Sequence, residues 1–294
     1  MIMASTFSWG KESQPIIVNP IQDITVTGRS HFTAIPLNKV FKLSGVTGPV
    51  ARFSTSQGII DVELLPKDAP KTVANFLSYV DRGTYTGTFI HRAVAEFVIQ
   101  GGGYKYVDGE VEKVAENAPI QNEFKISNTR GTLAMAKQDG NPDSATIQWF
   151  FNQSDKNSKN NDTQNGGFTV FGTIIGQKGL QVIDAIGALP TVNTGSPFDA
   201  LPVVDHKVGD PITNKNLVVV HTINEVPLVA ISPKGQGLLK LSLSKNSNPA
   251  AVEASISGKN LILKYSGKKG LSIISVTAKY GGGAAADTFR VTVN

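Results

Sequence analysis

The order of apolar and polar residues divides the chain into three regions. Residues 16–47 hold short β-rich pieces that are broken by prolines and glycines, whereas residues 49–225 mix strand and helix patterns. From residue 226 onward the helix signals stop, and five short alternating runs follow: LLKLSLS, AVEASIS, NLILKY, LSIISVTAK and DTFRVTV. Because period-two alternation is typical of half-buried strands, the sequence predicts a mainly β protein.

The middle region also contains two helix patterns. Its first strand is predicted at IIDVELL, where apolar and acidic residues alternate after the Gly58 turn. The run DAPKTVANFLSYVDRGTY then carries apolar residues at helical spacing. Asp68 is its predicted N-cap, Pro70 suits its first turn, and Gly83 ends it. A second helix is predicted at GLQVIDAIGAL.

Composition narrows the class of protein. The chain has 294 residues, which is long for one ordinary domain and suits two. It has no cysteine, which excludes disulfides, thiol catalysis and cysteine-based metal sites. No apolar run approaches the roughly 20 residues of a membrane helix, so no membrane insertion is expected. The start, MIMASTFSWGKES, lacks a charged region followed by an apolar one, so no signal peptide is visible in this chain.

Positive charge is concentrated in the last region. The net charge of the whole chain is +5, and the residues from Val226 to the end carry nine Lys or Arg against Glu253 and Asp287. A basic region can indicate binding to nucleic acid or to anionic surfaces. Here the lysines are scattered among alternating apolar residues, without a dense cluster, which favours solvated strand faces and no nucleic-acid partner.

A polar group recurs on two apolar strand patterns. In FIHRAVAEFVIQGGGY, Val98 and Gln100 share one strand face, and in TIQWFFN the same holds for Gln148 and Phe150. Together with Arg92 they would form an apolar patch that also offers hydrogen-bond donors, as expected of a site for a peptide.

The residues themselves leave a structural alternative for the arginine equally open. Its aliphatic stem could lie along apolar surface with the guanidinium in water, or the guanidinium could pair with Glu96 or Glu123.

Over about residues 50–222 the chain resembles the cyclophilin family of peptidyl-prolyl isomerases. The resemblance rests on five motifs in the right order: APKTVANFLSYVDRGTY, FIHRAVAEFVIQGGG, RGTLAMAK, SATIQWFFN and FTVFGTII. It implies an eight-stranded antiparallel barrel capped by two helices, an activity that needs no cofactor, and proline-containing peptides or unfolded proteins as substrates.

The resemblance also implies the site residues. Arg92 matches the family's catalytic arginine, and His91 matches a histidine beside it that is expected to support the site. The matching substrate-binding positions, with Lys137 where many relatives have Asn and Phe168 where the family has a histidine, are Phe97, Val98, Gln100, Ala136, Lys137, Gln148, Phe150 and Phe168.

One loop departs from the family pattern. The tryptophan expected before FTVFG is missing, the loop reads SDKNSKNNDTQNGG, and a pocket leucine aligns loosely with Gln164. The arginine site is unaffected by these departures, but the substrate preference is open and weak cyclosporin binding is expected.

Signals for metal or phosphate sites are weak. The loop NSKNNDTQNGG is rich in oxygen ligands but lacks the regular acidic spacing of a calcium loop. The four histidines are far apart in sequence, and the two GGG triplets do not stand in a phosphate-loop frame, so no metal is expected.

The tail resembles a bacterial immunoglobulin-like or cadherin-like module. Five runs in residues 226–294 are too few for an immunoglobulin-type β-sandwich of about seven strands, and residues 14–48 offer the missing ones. The cyclophilin-like domain, residues 49–225, is therefore predicted to be inserted into a split domain. The alternative is an N-terminal arm beside an independent five-stranded tail.

Two function classes follow. The first is an active prolyl isomerase. The second is a cyclophilin-like binding module of low activity, positioned on a possible protein partner by the immunoglobulin-like domain. By analogy with other proteins that carry such modules, a periplasmic or extracellular location is expected, with a cytoplasmic one open.

Overall fold

The computed structural model, which describes residues 13–27 and 31–294, contains two units. One unit is Thr47–Glu225, and the other combines the described part of residues 13–46 with Val226–Asn294. The second unit is therefore discontinuous along the chain.

In chain order the described strands are β1 (Pro15–Ile17), β2 (Ile24–Val26), β3 (Phe32–Pro36), β4 (Phe41–Leu43), β5 (Val50–Thr55), β6 (Gly58–Leu64), β7 (Thr88–Phe89), β8 (Arg92–Val94), β9 (Val98–Gly101), β10 (Tyr104–Val107), β11 (Glu110–Lys113), β12 (Thr132–Met135), β13 (Trp149–Asn152), β14 (Val170–Ile174), β15 (Thr191–Val192), β16 (Leu201–Pro202), β17 (Val219–Glu225), β18 (Lys240–Asn246), β19 (Val252–Ser257), β20 (Asn260–Tyr265), β21 (Gly270–Tyr280) and β22 (Gly283–Val293). The described helices are α1 (Leu37–Val40), α2 (Pro70–Asp81), α3 (Ser158–Thr163) and α4 (Gly176–Gly187), with 3-10 turns at Asp155–Asn157, Gln164–Gly166 and Asn214–Asn216.

The Thr47–Glu225 unit is built on one curled antiparallel sheet. Its strand order is β11-β10-β7-β17-β5-β6-β14-β12-β13-β9-β8. Strands β7 and β8 are only two residues apart, yet β7 pairs with β17 and β8 pairs with β9. A single short segment thus pairs with both β17 and β9, which lie far apart in this strand order, and this curls the sheet around its core.

Aromatic side chains fill the interior of the curled sheet. Phe53 lies at the centre, with its ring centroid 5.1 Å from that of Trp149 and 5.3 Å from that of Phe151, both in edge-on geometry. Helix α2 adds Phe76, which lies 5.1 Å from Phe171. Edge-on ring pairs stabilise a core beyond the area they bury, so these contacts fix the strands that also carry the site.

The start of α2 differs from the sequence prediction. The N-cap position is Ala69, and the Asp68 carboxylate instead accepts a hydrogen bond from Lys125 Nζ at 2.6 Å. The prediction of Asp68 as N-cap is therefore wrong. The N–H groups of the first turn, which lack helical partners, are bound by Glu123, whose carboxylate accepts from the N–H groups of Lys71 at 3.1 Å and Thr72 at 2.8 Å. A distant acidic side chain has taken the role that a local cap usually has.

The discontinuous unit has two larger sheets. One has the order β18-β21-β22-β2 and the other β19-β20-β3, while β1 pairs with β4. The N-terminal strands pair with the tail, since Ile24 lies opposite Val291 in a parallel pair and Ile35 lies opposite Leu261 in an antiparallel pair. The five runs of the tail each contain one strand. Across the described residues, no helix is long and apolar enough to cross a membrane.

Candidate functional site

Two neighbouring antiparallel strands, β9 and β13, present the candidate residues. Gln100 lies opposite Phe150, and alternation along each strand sends Val98 and Phe150 into a small apolar cluster. Ile99 and Phe151 turn to the central core instead. The other members of the small cluster are Ala134 and Val170, with Leu65, Phe97, Ile126, Ala136 and Phe168 partly buried against it. The structure thus collects five of the eight substrate-binding candidates in one place.

Arg92 lies at the edge of this cluster. It opens β8 directly opposite Gln100, and its guanidinium carbon lies 5.8 Å from the centroid of the Phe97 ring. Its Nε atom is 3.5 Å from a carboxylate oxygen of Asp199, and its side chain remains 28% exposed. A partly exposed guanidinium that sits beside an aromatic ring can both contact an apolar ligand and donate hydrogen bonds to it.

The carboxylates that were considered as partners of Arg92 are bound elsewhere. Glu96 pairs with Lys156 at 2.7 Å, which lowers the pKa of the Glu96 carboxyl. Glu123 caps α2. Pairing of Arg92 with either residue is therefore wrong, and its ionic partner is a residue that the sequence reasoning did not identify.

Gln100 and Gln148 form a bonded amide pair. Gln100 Nε2 donates to Gln148 Oε1 at 2.9 Å, which fixes both side chains near Arg92. The glycines that follow Gln100 make room for this arrangement. A Cβ on Gly103 would lie 2.7 Å from the Gln148 amide nitrogen, and one on Gly102 would lie 2.7 Å from the Trp149 indole nitrogen. The triplet therefore allows a close approach of the site strands. Position 102 also requires glycine because its backbone has a φ of +89°, a conformation that other residues rarely adopt.

Phe168 and Lys137 form one wall of the cluster. The Phe168 ring stands nearly perpendicular to Phe150 at 5.4 Å, and Lys137 Nζ lies 5.1 Å from its centroid. The ammonium donates to the carbonyl oxygens of Asn165 and Gly167, both at 2.7 Å. Burial lowers the pKa of Lys137. Two of the three ammonium donors are thus engaged with the protein itself, and the stem contributes to the wall.

The polar loop before Phe168 is folded and anchored. It forms a 3-10 turn, α3 and a second 3-10 turn in succession. Asn161 is buried and donates to Asn152, and Asp162 accepts from the N–H of Asn128 at 2.7 Å. Amide and carboxylate bonds therefore hold this segment in place where an apolar side chain was expected from the family pattern.

His91 is enclosed by aromatic rings behind Arg92. It is 1% exposed and lies 5.0 Å from the Tyr104 ring and 6.4 Å from Phe198, both edge-on. Burial, reinforced by the charge of Arg92, lowers the pKa of His91 to about 4. The imidazole is therefore neutral near pH 7, which suits support of the neighbouring strand and makes it a poor proton carrier.

A family model and three relatives that match this chain carry the name peptidyl-prolyl cis-trans isomerase. A family model described as "Cyclophilin type peptidyl-prolyl cis-trans isomerase/CLD" matches residues 50–208. The peptidyl-prolyl cis-trans isomerase of Acinetobacter baylyi is 43% identical over 148 residues, which are 50% of this chain and 76% of that protein. Peptidyl-prolyl cis-trans isomerase A of Dickeya dadantii is 37% identical over 151 residues, covering 51% and 76%. Isomerase B of Escherichia coli is 38% identical over 152 residues, covering 50% and 89%.

Proposed function

Since the chain belongs to the cyclophilin-type family of peptidyl-prolyl cis-trans isomerases, we propose that Arg92 is the catalytic residue with which it rotates X–Pro peptide bonds. The family is an enzyme family, and its relatives at 37–43% identity carry the isomerase name. The observation that carries the assignment of Arg92 is its position opposite Gln100 and beside the Phe97 ring, at the edge of an apolar cluster.

The chemistry requires one well-placed donor. Rotation about a peptide bond faces a barrier of roughly 18–20 kcal/mol because resonance gives the C–N bond partial double-bond character. The two isomers of an X–Pro bond are close in free energy, so a catalyst needs only to lower the barrier. At the twisted transition state the proline nitrogen regains a lone pair, which can accept a hydrogen bond from Arg92. This bond is weak in the planar ground state, so it stabilises the transition state selectively.

The remaining candidates would hold the substrate in place. Phe97 and Phe150 offer aromatic surface for the proline ring, beside Val98 and Ala136 in the same cluster. Gln100 keeps one amide hydrogen for a substrate carbonyl while the other is donated to Gln148. No covalent bond is made or broken in this mechanism.

Replacing Arg92 with Ala tests the proposal. Loss of one preorganised donor costs about 3 kcal/mol of transition-state stabilisation, so the isomerisation rate should fall by about a hundredfold. A protease-coupled assay on Ala-Pro peptides measures the rate, and calorimetry should show that peptide binding is largely retained. Arg82→Ala is the matched control, because Arg82 lies over the Tyr79 ring, away from the cluster. A rate near that of the unmodified protein in the Arg92 variant would refute the assignment.

The second candidate function is a cyclophilin-like module that binds proline-containing segments with little turnover. It rests on the wall formed by Lys137 and Phe168, which differs from the family pattern, whereas the relatives named as isomerases favour the enzyme. Tight binding of a proline peptide combined with a rate close to the uncatalysed one would support it over the enzyme.

We also propose the finer architecture. Counting residues 88–94 as one strand leaves eight strands in the closed series that includes β9, β13 and β17, consistent with an eight-stranded barrel. The pairing of β2 with β22 and of β3 with β20 supports an immunoglobulin-like sandwich whose strands come from both sides of the isomerase region. Such a domain could position the enzyme on a protein partner outside the cytoplasm.

A further inference from the structure

A carboxylate lies against the proposed catalytic arginine. Asp199 Oδ1 is 3.5 Å from Arg92 Nε, and the Asp199 side chain is 51% exposed. In the described part of the chain no other carboxylate lies within 4 Å of this guanidinium. The guanidinium atom nearest to Asp199 is Nε, and because a guanidinium carries five N–H donors, donors remain for a ligand.

The segment that carries Asp199 is fixed on both sides of it. Before it, Phe198 packs into an aromatic group with Phe89 at 6.1 Å and Tyr104 at 5.0 Å. After it, the carbonyl oxygen of Ala200 accepts a hydrogen bond from the N–H of Ala93 at 2.8 Å. Ala93 directly follows Arg92, so this bond ties the backbone around Asp199 to that of the catalytic strand.

The same segment is closed into a small hairpin. Strands β15 and β16 pair, with Val192 opposite Leu201, and the Phe198 carbonyl oxygen accepts from the Thr194 N–H at 3.1 Å. Asp199 therefore stands on a braced turn and not on a free loop end. Its carboxylate is held at the guanidinium without needing to order a long stretch of chain.

We propose that Asp199 is a positioning residue for Arg92. It forms an ion pair with the guanidinium before the substrate arrives and leaves N–H donors of the guanidinium for the proline nitrogen. An arginine side chain has several rotatable bonds, and ordering it in advance removes that cost from the transition state. The inference rests on the proposed function of Arg92 and names the residue that orients it.

Asp199→Asn is the first test variant, because it keeps the shape of the side chain and removes its charge. An exposed ion pair contributes little energy, so kcat on an Ala-Pro peptide should fall by about three- to fivefold. The value of KM should change by less than about twofold, because the contact acts on the orientation of the donor and not on the binding surface. Asp199→Glu should restore at least about half of kcat, since it returns the charge.

Two measurements separate positioning from a merely structural role. In an Arg92→Lys background, which lacks the guanidinium fork, Asp199→Asn should have no further effect on kcat. In the otherwise unmodified protein, ¹⁵N relaxation of the Arg92 Nε–H signal should show a side chain of restricted motion, and that restriction should be lost in the Asn variant. An unchanged signal, or an equal loss of kcat in the lysine background, overturns the inference.

The outcomes also distinguish the inference from the proposed function. If Arg92→Ala abolishes isomerisation while Asp199→Asn changes neither kcat nor the Nε–H signal, the positioning role is wrong and the function stands. If the unmodified protein does not isomerise proline peptides, the proposed function fails. The Nε–H signal then still shows whether Asp199 orders the guanidinium, but a role of Asp199 in catalysis is excluded together with the function.

Discussion

Removing the Glu123 carboxylate should destabilise the isomerase unit far more than removing the Asp68 carboxylate next to α2. Glu123 accepts hydrogen bonds from the N–H groups of Lys71 and Thr72 and from the Thr72 hydroxyl, the last two at 2.8 Å. The first turn of a helix has N–H groups without helical partners, and a negative charge there also interacts favourably with the helix dipole. Glu123 therefore supplies from a distance what no side chain at the N-cap supplies.

The size of the effect follows from what Glu123→Ala leaves behind. The side chain of a typical N-cap contributes about 1 kcal/mol, and hydrogen bonds to a charged group contribute about 1.5–3 kcal/mol. Thr72 is fully buried, so its hydroxyl would lose its acceptor in a place that water does not reach. We expect the free energy of unfolding to fall by about 2–3 kcal/mol in the alanine variant. Glu123→Gln keeps an acceptor oxygen and should cost about half of that.

The control is Asp68→Asn. Asp68 pairs with Lys125 at 2.6 Å, but the Lys125 side chain is 62% exposed, and exposed pairs contribute less than about 1 kcal/mol. Unfolding in urea can be followed by fluorescence of Trp149, which is buried in this unit, after Trp9 has been replaced with Phe to leave a single reporter. Equal losses in the Asp68 and Glu123 variants would refute the reasoning, as would an alanine variant as stable as the parent.

Three further predictions concern the site wall, pH and the divided unit. Cyclosporin should bind weakly, since the folded loop at residues 154–167 offers polar side chains where an aromatic contact is expected, and a nanomolar complex by calorimetry would contradict this. The pKa of His91 is about 4 in the folded protein, below its usual value, so the unfolded chain binds more protons than the folded protein between about pH 6.5 and 4. The free energy of unfolding should therefore fall by about 3 kcal/mol as pH drops through that window. His91→Phe should flatten that dependence in urea titrations, and an equally steep curve would exclude His91 as its source. Deleting residues 1–46 should unfold residues 226–294, which would lose their protection from amide hydrogen exchange, while isomerase activity persists. Unchanged protection of these amides would favour an independent tail.

The parts of the fold that local patterns encode were predictable from the sequence. Alternation along TIQWFFN sends Phe150 and Phe151 to opposite faces, and the structure has the first in the small cluster and the second in the central core. Helix α2 and the five strands of the tail follow from the same periodicities. These features depend on neighbours within a few residues, and spacing alone specifies them.

Contacts between distant residues were not predictable in the same way. Asp68 satisfied every local rule for an N-cap, yet Glu123, more than 50 residues later, binds the first turn. Asp199 lies more than 100 residues from Arg92 and carries no motif that points to it. The signal that could have suggested such a partner for α2 is the lack of any polar residue at Ala69, directly before Pro70.

The pairing of Ala51 with Glu225 has a consequence for the order in which the chain folds. Until residues Thr47–Glu225 fold, they form a flexible loop of roughly 180 residues between the two halves of the other unit, and closing such a loop costs about 4–5 kcal/mol of chain entropy. Once β5 and β17 pair, the two exits of that loop lie on adjacent strands and most of this cost disappears. Because domain stabilities are only about 5–15 kcal/mol, the discontinuous unit should assemble late, after its last strands are synthesised and the enzyme has folded. The folded isomerase unit would then act as a cross-link between the two chain segments that form the discontinuous unit.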